Sequence, residues 1–113
     1  MNIQIFGSKK CFESKKAERY FKERRIKVQN IDILDKGMSA GELKSVITAM
    51  KGIDNILNEN AKDSDTLNLI KYLADEQKFE KLLENQQIIK TPVVRNGQKA
   101  TVGYCPDVWK GWE

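Results

Sequence analysis

The sequence predicts an α/β fold with a four-stranded mixed sheet and an inserted helical block, in the order β-α-β-α-α-α-β-β-α. Three observations lead to this prediction. The first 33 residues run from a strand pattern to a helix pattern and back to a strand, and the middle of the chain carries only helical patterns. The last quarter has an Asn-Gly hairpin signal between two β-rich segments. We expect residues 1–113 to form a single domain, because this length suffices for one core and is too short for two ordinary ones.

The first third of the chain has the pattern of a βαβ unit. Residues 3–6 form a short apolar run that Gly7 ends, which predicts a buried strand. Apolar residues recur at helical spacing between residues 12 and 25, and residues 27–33 alternate like a second strand. Because about twenty residues connect the two strands, we expect them to be parallel.

Three helices are predicted in the middle of the chain. Ser39, followed three residues later by Glu42, forms a capping box before an apolar helical stripe. Residues 67–73 and 79–85 each carry apolar side chains at helical spacing and predict two shorter helices. The polar stretch between these patterns predicts no definite element.

A hairpin is predicted near the end of the chain. Residues 88–94 and 100–103 are β-rich, and Asn96-Gly97 between them favours a tight turn. Pro92 allows two interpretations. It marks a strand edge or start, or it is a cis-proline that presents backbone to a nearby active-site cysteine.

A short helix is expected to close the chain. Pro106 suits the first helical position, and Cys105 precedes it at the N-cap. Val108, Trp109 and Trp112 are expected to form the apolar side of this helix.

The composition indicates a globular protein without common metal or triad chemistry. Hydrophobic residues make up 40% and charged residues 32%, and no apolar stretch is long enough to span a membrane. The N-terminus shows no signal-peptide pattern, and two cysteines about ninety residues apart fit a reducing cytoplasm, where free or redox-active thiols are the rule. Histidine is absent, which argues against a Cys–His pair, a Ser-His-Asp triad and a structural zinc site. We therefore expect no metal and no bound cofactor.

Positive charge is concentrated near the N-terminus. Residues 1–27 carry nine basic and three acidic side chains, a net charge of +6, so the remainder of the chain carries −2. The charge is either a solvated helix face or an electropositive surface for an anionic substrate or partner. Nucleic acid is unlikely as a partner, because no recognised binding motif accompanies the charge.

Cys11 is the candidate nucleophile. It lies between the first strand and the first helix, where unpaired N–H groups and the helix dipole stabilise a thiolate. Lys9, Lys10, Lys15 and Lys16 act in the same direction. The alternative is a buried structural cysteine, but the strand-turn-Cys-helix setting favours the reactive thiol.

Five motifs together point to a known family. They are the strand-turn-Cys11 opening with Ser14 three residues later, Lys15-Lys16-Ala17, Leu57-Asn58, Thr91-Pro92-Val93-Val94 and Val102-Gly103-Tyr104. Through them the whole chain resembles the arsenate reductases (ArsC) and Spx-type regulators, a family with a thioredoxin-like fold and an inserted helical block.

The resemblance implies a role for the cysteine and its surroundings. Cys11 would attack an oxyanion or a disulfide beside a cis-proline loop of Thr91 and Pro92. The substrate would be a small anion or disulfide, with a redox protein as a further partner. Glutathione, glutaredoxin or thioredoxin would be the external reductant.

Several residues are candidates for stabilising the Cys11 thiolate or an anion: Lys9, Lys10, Ser14, Lys15 and Arg95. Spx-type regulators carry a second cysteine where this chain has Ser14. The Ser14 hydroxyl either donates a hydrogen bond to the thiolate or is an ordinary first-turn residue.

The chain departs from the arsenate reductases at three positions. Where these enzymes carry arginines, it has Asn60, Thr91 and Cys105, and bidentate oxyanion binding depends on such donors. We therefore expect weak or absent arsenate reduction, unless Arg95 replaces one of them. Cys105 is either a resolving cysteine for oxidised Cys11 or a packing residue.

Three functions compete at this point. The first is a small cytosolic thiol oxidoreductase with Cys11 as the nucleophile. The second is a regulatory module that binds a partner protein in the Spx manner, in which Gly52 lies near the segment that touches RNA polymerase. The third is a structural role with an inert Cys11.

Overall fold

The computed structural model describes residues 1–113 and confirms the α/β fold with one mixed sheet. Its strands are β1 (Ile3–Gly7), β2 (Val28–Asp32), β3 (Val93–Asn96) and β4 (Lys99–Val102). They lie in the order β2-β1-β3-β4, with β1 parallel to β2 and both other pairs antiparallel. The parallel pairing predicted for the first two strands is therefore confirmed.

Five helices surround the sheet. They are α1 (Phe12–Glu23), α2 (Ala40–Ala49), α3 (Ser64–Tyr72), α4 (Asp75–Glu84) and α5 (Pro106–Lys110). None of them is long and apolar enough to cross a bilayer. Their order gives the predicted β-α-β opening, the helical block and the closing helix after the hairpin.

The capping box predicted before α2 is present. The Ser39 hydroxyl accepts a hydrogen bond from the Glu42 N–H, and the Glu42 carboxylate accepts one from the Ser39 N–H. These bonds satisfy two N–H groups that a helix start otherwise leaves unpaired.

The side chains of the sheet alternate between two apolar clusters. Ile3 and Ile5 belong to a cluster on the face covered by α1 and α5, whereas Phe6 and Ile31 belong to a larger cluster under the helical block. This alternation follows from the period of two along a strand. The sheet is thus covered on both faces. β1 ends at Gly7, at the edge of the sheet between these two covered faces.

Two local expectations are wrong. Of the β-rich segment 88–94, only the last two residues, Val93 and Val94, belong to a strand. Its start is bound to the helical block instead: the Lys90 N–H donates to the Ile56 carbonyl, and the Asn58 N–H donates to the Ile88 carbonyl. Val108 was expected to pack, yet it is 49% exposed, because so short a helix as α5 buries only Trp109 fully.

Candidate functional site

Cys11 is the N-cap residue of α1, as its position in the sequence predicted. β1 ends at Gly7, a turn follows, and the Cys11 N–H donates to the Ser8 carbonyl at 3.0 Å. The backbone of Cys11 is extended (φ −90°, ψ 115°), so its half-buried side chain lies at the open end of the helix. The N–H groups of a first helical turn have no partners within the helix and favour a negative charge there.

The loop of Thr91 and Pro92 lies against the cysteine. The Cys11 thiol donates to the Thr91 carbonyl at 3.5 Å, although 80 residues separate them in the sequence. The Thr91–Pro92 peptide is cis, as the resemblance implied. The structure thus brings together the two motifs that defined the candidate site.

The pKa of the Cys11 thiol is lowered, and hydrogen bonds are the reason. Burial raises this pKa, but hydrogen bonds from the Ser14 and Thr91 side chains and from the N–H groups of Ser14 and Glu13 together outweigh burial. The flanking lysines are exposed to solvent and are not among the causes. The predicted thiolate is thus favoured. Of its two predicted causes, the N–H groups of the first helical turn contribute, whereas the contribution of the lysines stays a prediction.

Ser14 is held in place to serve the thiolate. Its hydroxyl oxygen is buried and accepts a hydrogen bond from the Ser8 N–H at 3.3 Å, which leaves the hydroxyl hydrogen free to donate to sulfur. A Cβ on Gly7 would lie only 2.8 Å from this oxygen, so glycine is needed for the close approach. Of the two interpretations of Ser14, the lowering of the Cys11 pKa by the Ser14 side chain supports the hydrogen-bond donor.

Cys105 lies in a different environment. It is the N-cap of α5, and its thiol donates to the Val102 carbonyl at 3.6 Å. Burial raises the pKa of this thiol, and Lys90 and Glu13 nearby act on it in opposite directions. Burial therefore outweighs any stabilisation of the Cys105 thiolate by the N-terminus of α5, a helix of only five residues. Both cysteines are free thiols.

We predict that iodoacetamide alkylates Cys11 faster than Cys105 at neutral pH. The lowered pKa of Cys11 gives it more thiolate, and its reaction rate should level off at a lower pH than that of Cys105. Peptide mass spectrometry of the native protein over a pH series measures both rates. Ser14→Ala should slow Cys11 about threefold to tenfold at pH 7 and leave Cys105 unchanged. Equal rates for the two cysteines would contradict this account of the site.

Arg95 is not part of the site, although the sequence made it a candidate. Its guanidinium donates to the Gln4 side chain and lies 3.9 Å from the Glu42 carboxylate. Arg95 pairs with Gln4 on β1, three residues before the Gly7 end of that strand from which the chain continues to Cys11. The structure therefore assigns Arg95 to the packing of α2 on the sheet.

The lysines near Cys11 lie on the surface around it. Lys9 and Lys15 line a cleft of about 430 Å³ between the turn after β1 and the end of β2. Glu18 and Asp32 line the same cleft, which balances its charge, and Cys11 is not among its lining residues. Lys10 points into solvent on the same turn. The cleft is therefore beside the thiol and is not a cationic pocket around it.

Two exposed aromatic residues next to the cysteines were not predicted to belong to the site. Phe12 directly follows Cys11 and is 73% exposed, and Tyr104 directly precedes Cys105 and is 37% exposed. The Lys16 ammonium lies over both rings, 5.5 Å from the Phe12 centroid and 4.8 Å from the Tyr104 centroid. The phase of α1 could have shown the exposure of Phe12, because the buried positions of this helix begin at residue 14.

Comparison with known proteins gives a consistent family and fold. The model of the ArsC family matches residues 6–112. The global transcriptional regulator Spx 2 of Oceanobacillus iheyensis is 29% identical over 112 residues, which cover 95% of this chain and 80% of that protein.

Solved structures agree with the architecture. A putative ArsC family related protein from Bacteroides fragilis superposes with a TM-score of 0.86 at 22% identity, covering 100% of this chain and 98% of that one. An arsenate reductase from Vibrio cholerae superposes with a TM-score of 0.81 at 23% identity, covering 96% and 94%. At these identities the likeness establishes the fold, a four-stranded mixed sheet with an inserted helical block.

Proposed function

The chain belongs to the ArsC family, and we propose that it is a thiol oxidoreductase in which the Cys11 thiolate attacks disulfides. The observation that carries this proposal is the environment of the thiol. Cys11 caps the first turn of α1, lies against the Thr91-Pro92 loop and has a pKa lowered by hydrogen bonds despite its burial. A thiolate at neutral pH is the attacking species in thiol–disulfide exchange.

The proposed reaction has three steps. The Cys11 sulfur attacks one sulfur of a disulfide, a Cys11–substrate disulfide forms, the original sulfur–sulfur bond breaks, and the second sulfur leaves as a thiolate. A second thiolate, from an added thiol, then attacks the substrate sulfur of the mixed disulfide, forms a new disulfide with it and releases Cys11 as a thiolate. A further added thiol attacks the sulfur of the first added thiol in that new disulfide and releases the substrate sulfur as a thiolate, so that the two electrons come from two added thiols.

An external thiol is the favoured resolving group. Burial raises the pKa of the Cys105 thiol, so less of it is thiolate at neutral pH. We therefore propose glutathione, or the thiol of a glutaredoxin or thioredoxin, as the reductant in a reducing cytoplasm. Cys105 remains the intramolecular alternative, and it requires its Cα to come within about 7 Å of that of Cys11.

The side chains around Cys11 fit a disulfide better than an arsenate ion. Ser14 and Thr91 supply single hydrogen bonds to the thiolate, whereas a tetrahedral oxyanion is best held by the paired donors of arginine. Arg95 is bound to Gln4 and Glu42. Asn60, at a position where arsenate reductases carry arginine, is exposed, and its N–H donates to the Asn58 side chain.

A direct comparison of the two substrates tests the proposal. We expect the reduced protein to turn over the mixed disulfide of 2-mercaptoethanol and glutathione, with glutathione, glutathione reductase and NADPH consumption as the readout. Arsenate in the same assay, with glutaredoxin added, should give a rate near background because the arginine donors are missing. Robust arsenate turnover together with slow disulfide exchange would contradict the proposal.

A regulatory module is the second candidate, and the similarity to a protein named global transcriptional regulator Spx 2 supports it. Gly52, in the turn after α2, has a φ of +141° that other residues rarely adopt. In this alternative the protein binds RNA polymerase through that turn. Gel filtration with purified polymerase tests it, with Gly52→Arg as the variant expected to lose binding. If the protein turns over disulfides and does not bind polymerase, the result supports the oxidoreductase and contradicts the regulatory module.

A further inference from the structure

The exposed rings next to the two cysteines form one surface with Lys16. We call Phe12, Lys16 and Tyr104 the aromatic face. Lys16 lies one helical turn after Phe12 and also reaches the Tyr104 ring, so a single cation joins α1 to the loop before α5. Because Phe12 directly follows Cys11, this surface adjoins the thiol.

The Tyr104 side of the aromatic face is held in a fixed arrangement. The Tyr104 ring packs edge-on against Trp109, with centroids 5.5 Å apart and an interplanar angle of 82°. Trp109 is fully buried, and its indole N–H donates to the Thr101 hydroxyl at 2.7 Å. A surface that is already ordered loses little conformational entropy when a partner binds to it.

The chemistry of the face indicates the size and charge of its partner. Aromatic rings are typical of the residues that dominate protein–protein binding, whereas a small inorganic anion gains nothing from an exposed Phe12 ring. The Lys16 ammonium lies over both rings of this face, and the exposed Lys10 directly precedes Cys11, so the charge at the face favours a negatively charged partner.

This inference rests on the proposed disulfide chemistry of Cys11. We propose that the disulfide attacked by Cys11 belongs to a polypeptide, and that an acidic segment of this polypeptide binds to the aromatic face. Cys11 then attacks the sulfur of the bound polypeptide cysteine. A disulfide forms between Cys11 and the polypeptide, and the sulfur formerly bonded to that cysteine leaves as a thiolate.

Two chromophoric disulfides test this inference. The first is an acidic peptide with one cysteine joined to 5-thio-2-nitrobenzoate, and the second is 2-mercaptoethanol joined to the same group. Release of the coloured thiolate gives the second-order rate constant of Cys11 with each. A peptide of the same length with lysines in place of its acids measures the role of charge.

We expect Phe12→Ser to slow the reaction with the acidic peptide about tenfold. The double variant with Phe12→Ser and Tyr104→Ser should slow this reaction further. Reaction with the small disulfide should stay within about twofold, because Ser14 and Thr91, which set the reactivity of the thiol, are unchanged. Lys16→Gln should reduce the preference for the acidic over the basic peptide. Tyr72→Ser is the matched control, since Tyr72 is 89% exposed on α3, and it should change neither rate.

Other outcomes separate this inference from the function on which it rests. A variant that slows both disulfides equally, or slows neither, would overturn binding at the aromatic face while leaving Cys11 as a nucleophile. A protein that reacts with neither disulfide would overturn the proposed function and this inference together. Thermal unfolding of each variant shows whether Tyr104→Ser alters the packing of Trp109. If it does, the rates of the Phe12→Ser variant alone are used to test binding at the aromatic face.

Discussion

Cys11→Ser is expected to reduce disulfide exchange by a factor of about 1,000 or more, because a serine hydroxyl stays protonated at neutral pH and is a far weaker nucleophile. The fold should survive, since Cys11 is only half-buried and serine is a favoured N-cap residue. The coupled glutathione assay measures the loss of activity, and thermal unfolding measures stability. Activity near that of the unsubstituted protein would show that Cys11 is not the nucleophile.

Cys105→Ser is the matched control for this experiment. If an external thiol resolves the Cys11 mixed disulfide, as proposed, this variant turns over at about the rate of the unsubstituted protein. If Cys105 is the resolving residue, diamide treatment gives a disulfide between Cys11 and Cys105, and the variant instead accumulates mixed disulfide on Cys11. Mass spectrometry of the oxidised proteins distinguishes the two results.

The elements of the fold were predictable because their signals are local. The capping box before α2 and the Asn96-Gly97 turn each depend on residues within four positions of one another. The position of Cys11 at the start of α1 follows from the same kind of pattern. Segment 88–90 was less predictable, because its hydrogen bonds go to the helical block about thirty residues earlier.

The electrostatics of the site required the three-dimensional structure. The sequence showed lysines around Cys11 but not that they face solvent, and it left open the role of Ser14, which depends on a hydrogen bond from the Ser8 N–H. Arg95 looked available for an anion because its partner, Glu42, lies 53 positions away in the sequence. Long-range partners of this kind leave no local pattern.

Trp109→Ala is expected to lower the free energy of unfolding by about 3–5 kcal/mol. Trp109 is fully buried and contacts the rings of Tyr20, Phe21 and Tyr104, with centroids 5.1 to 5.5 Å apart. Its removal leaves a cavity between α1 and α5 and takes the indole donor from the buried Thr101 hydroxyl. Since small domains are stable by only about 5–15 kcal/mol, the loss is a large fraction of the total. Chemical denaturation followed by circular dichroism measures it.

Two controls separate the contributions of Trp109. Trp109→Phe keeps an aromatic ring in the cavity but removes the hydrogen bond to Thr101. It should therefore lower the free energy of unfolding by less than Trp109→Ala does. Trp112→Ala removes a half-buried indole from the same end of the chain and should lower the free energy of unfolding least of the three variants. Because Trp109 also supports Tyr104, Trp109→Phe should affect exchange with the acidic peptide more than exchange with the small disulfide. An alanine variant as stable as the unsubstituted protein would mean that α5 is not packed on the sheet in solution.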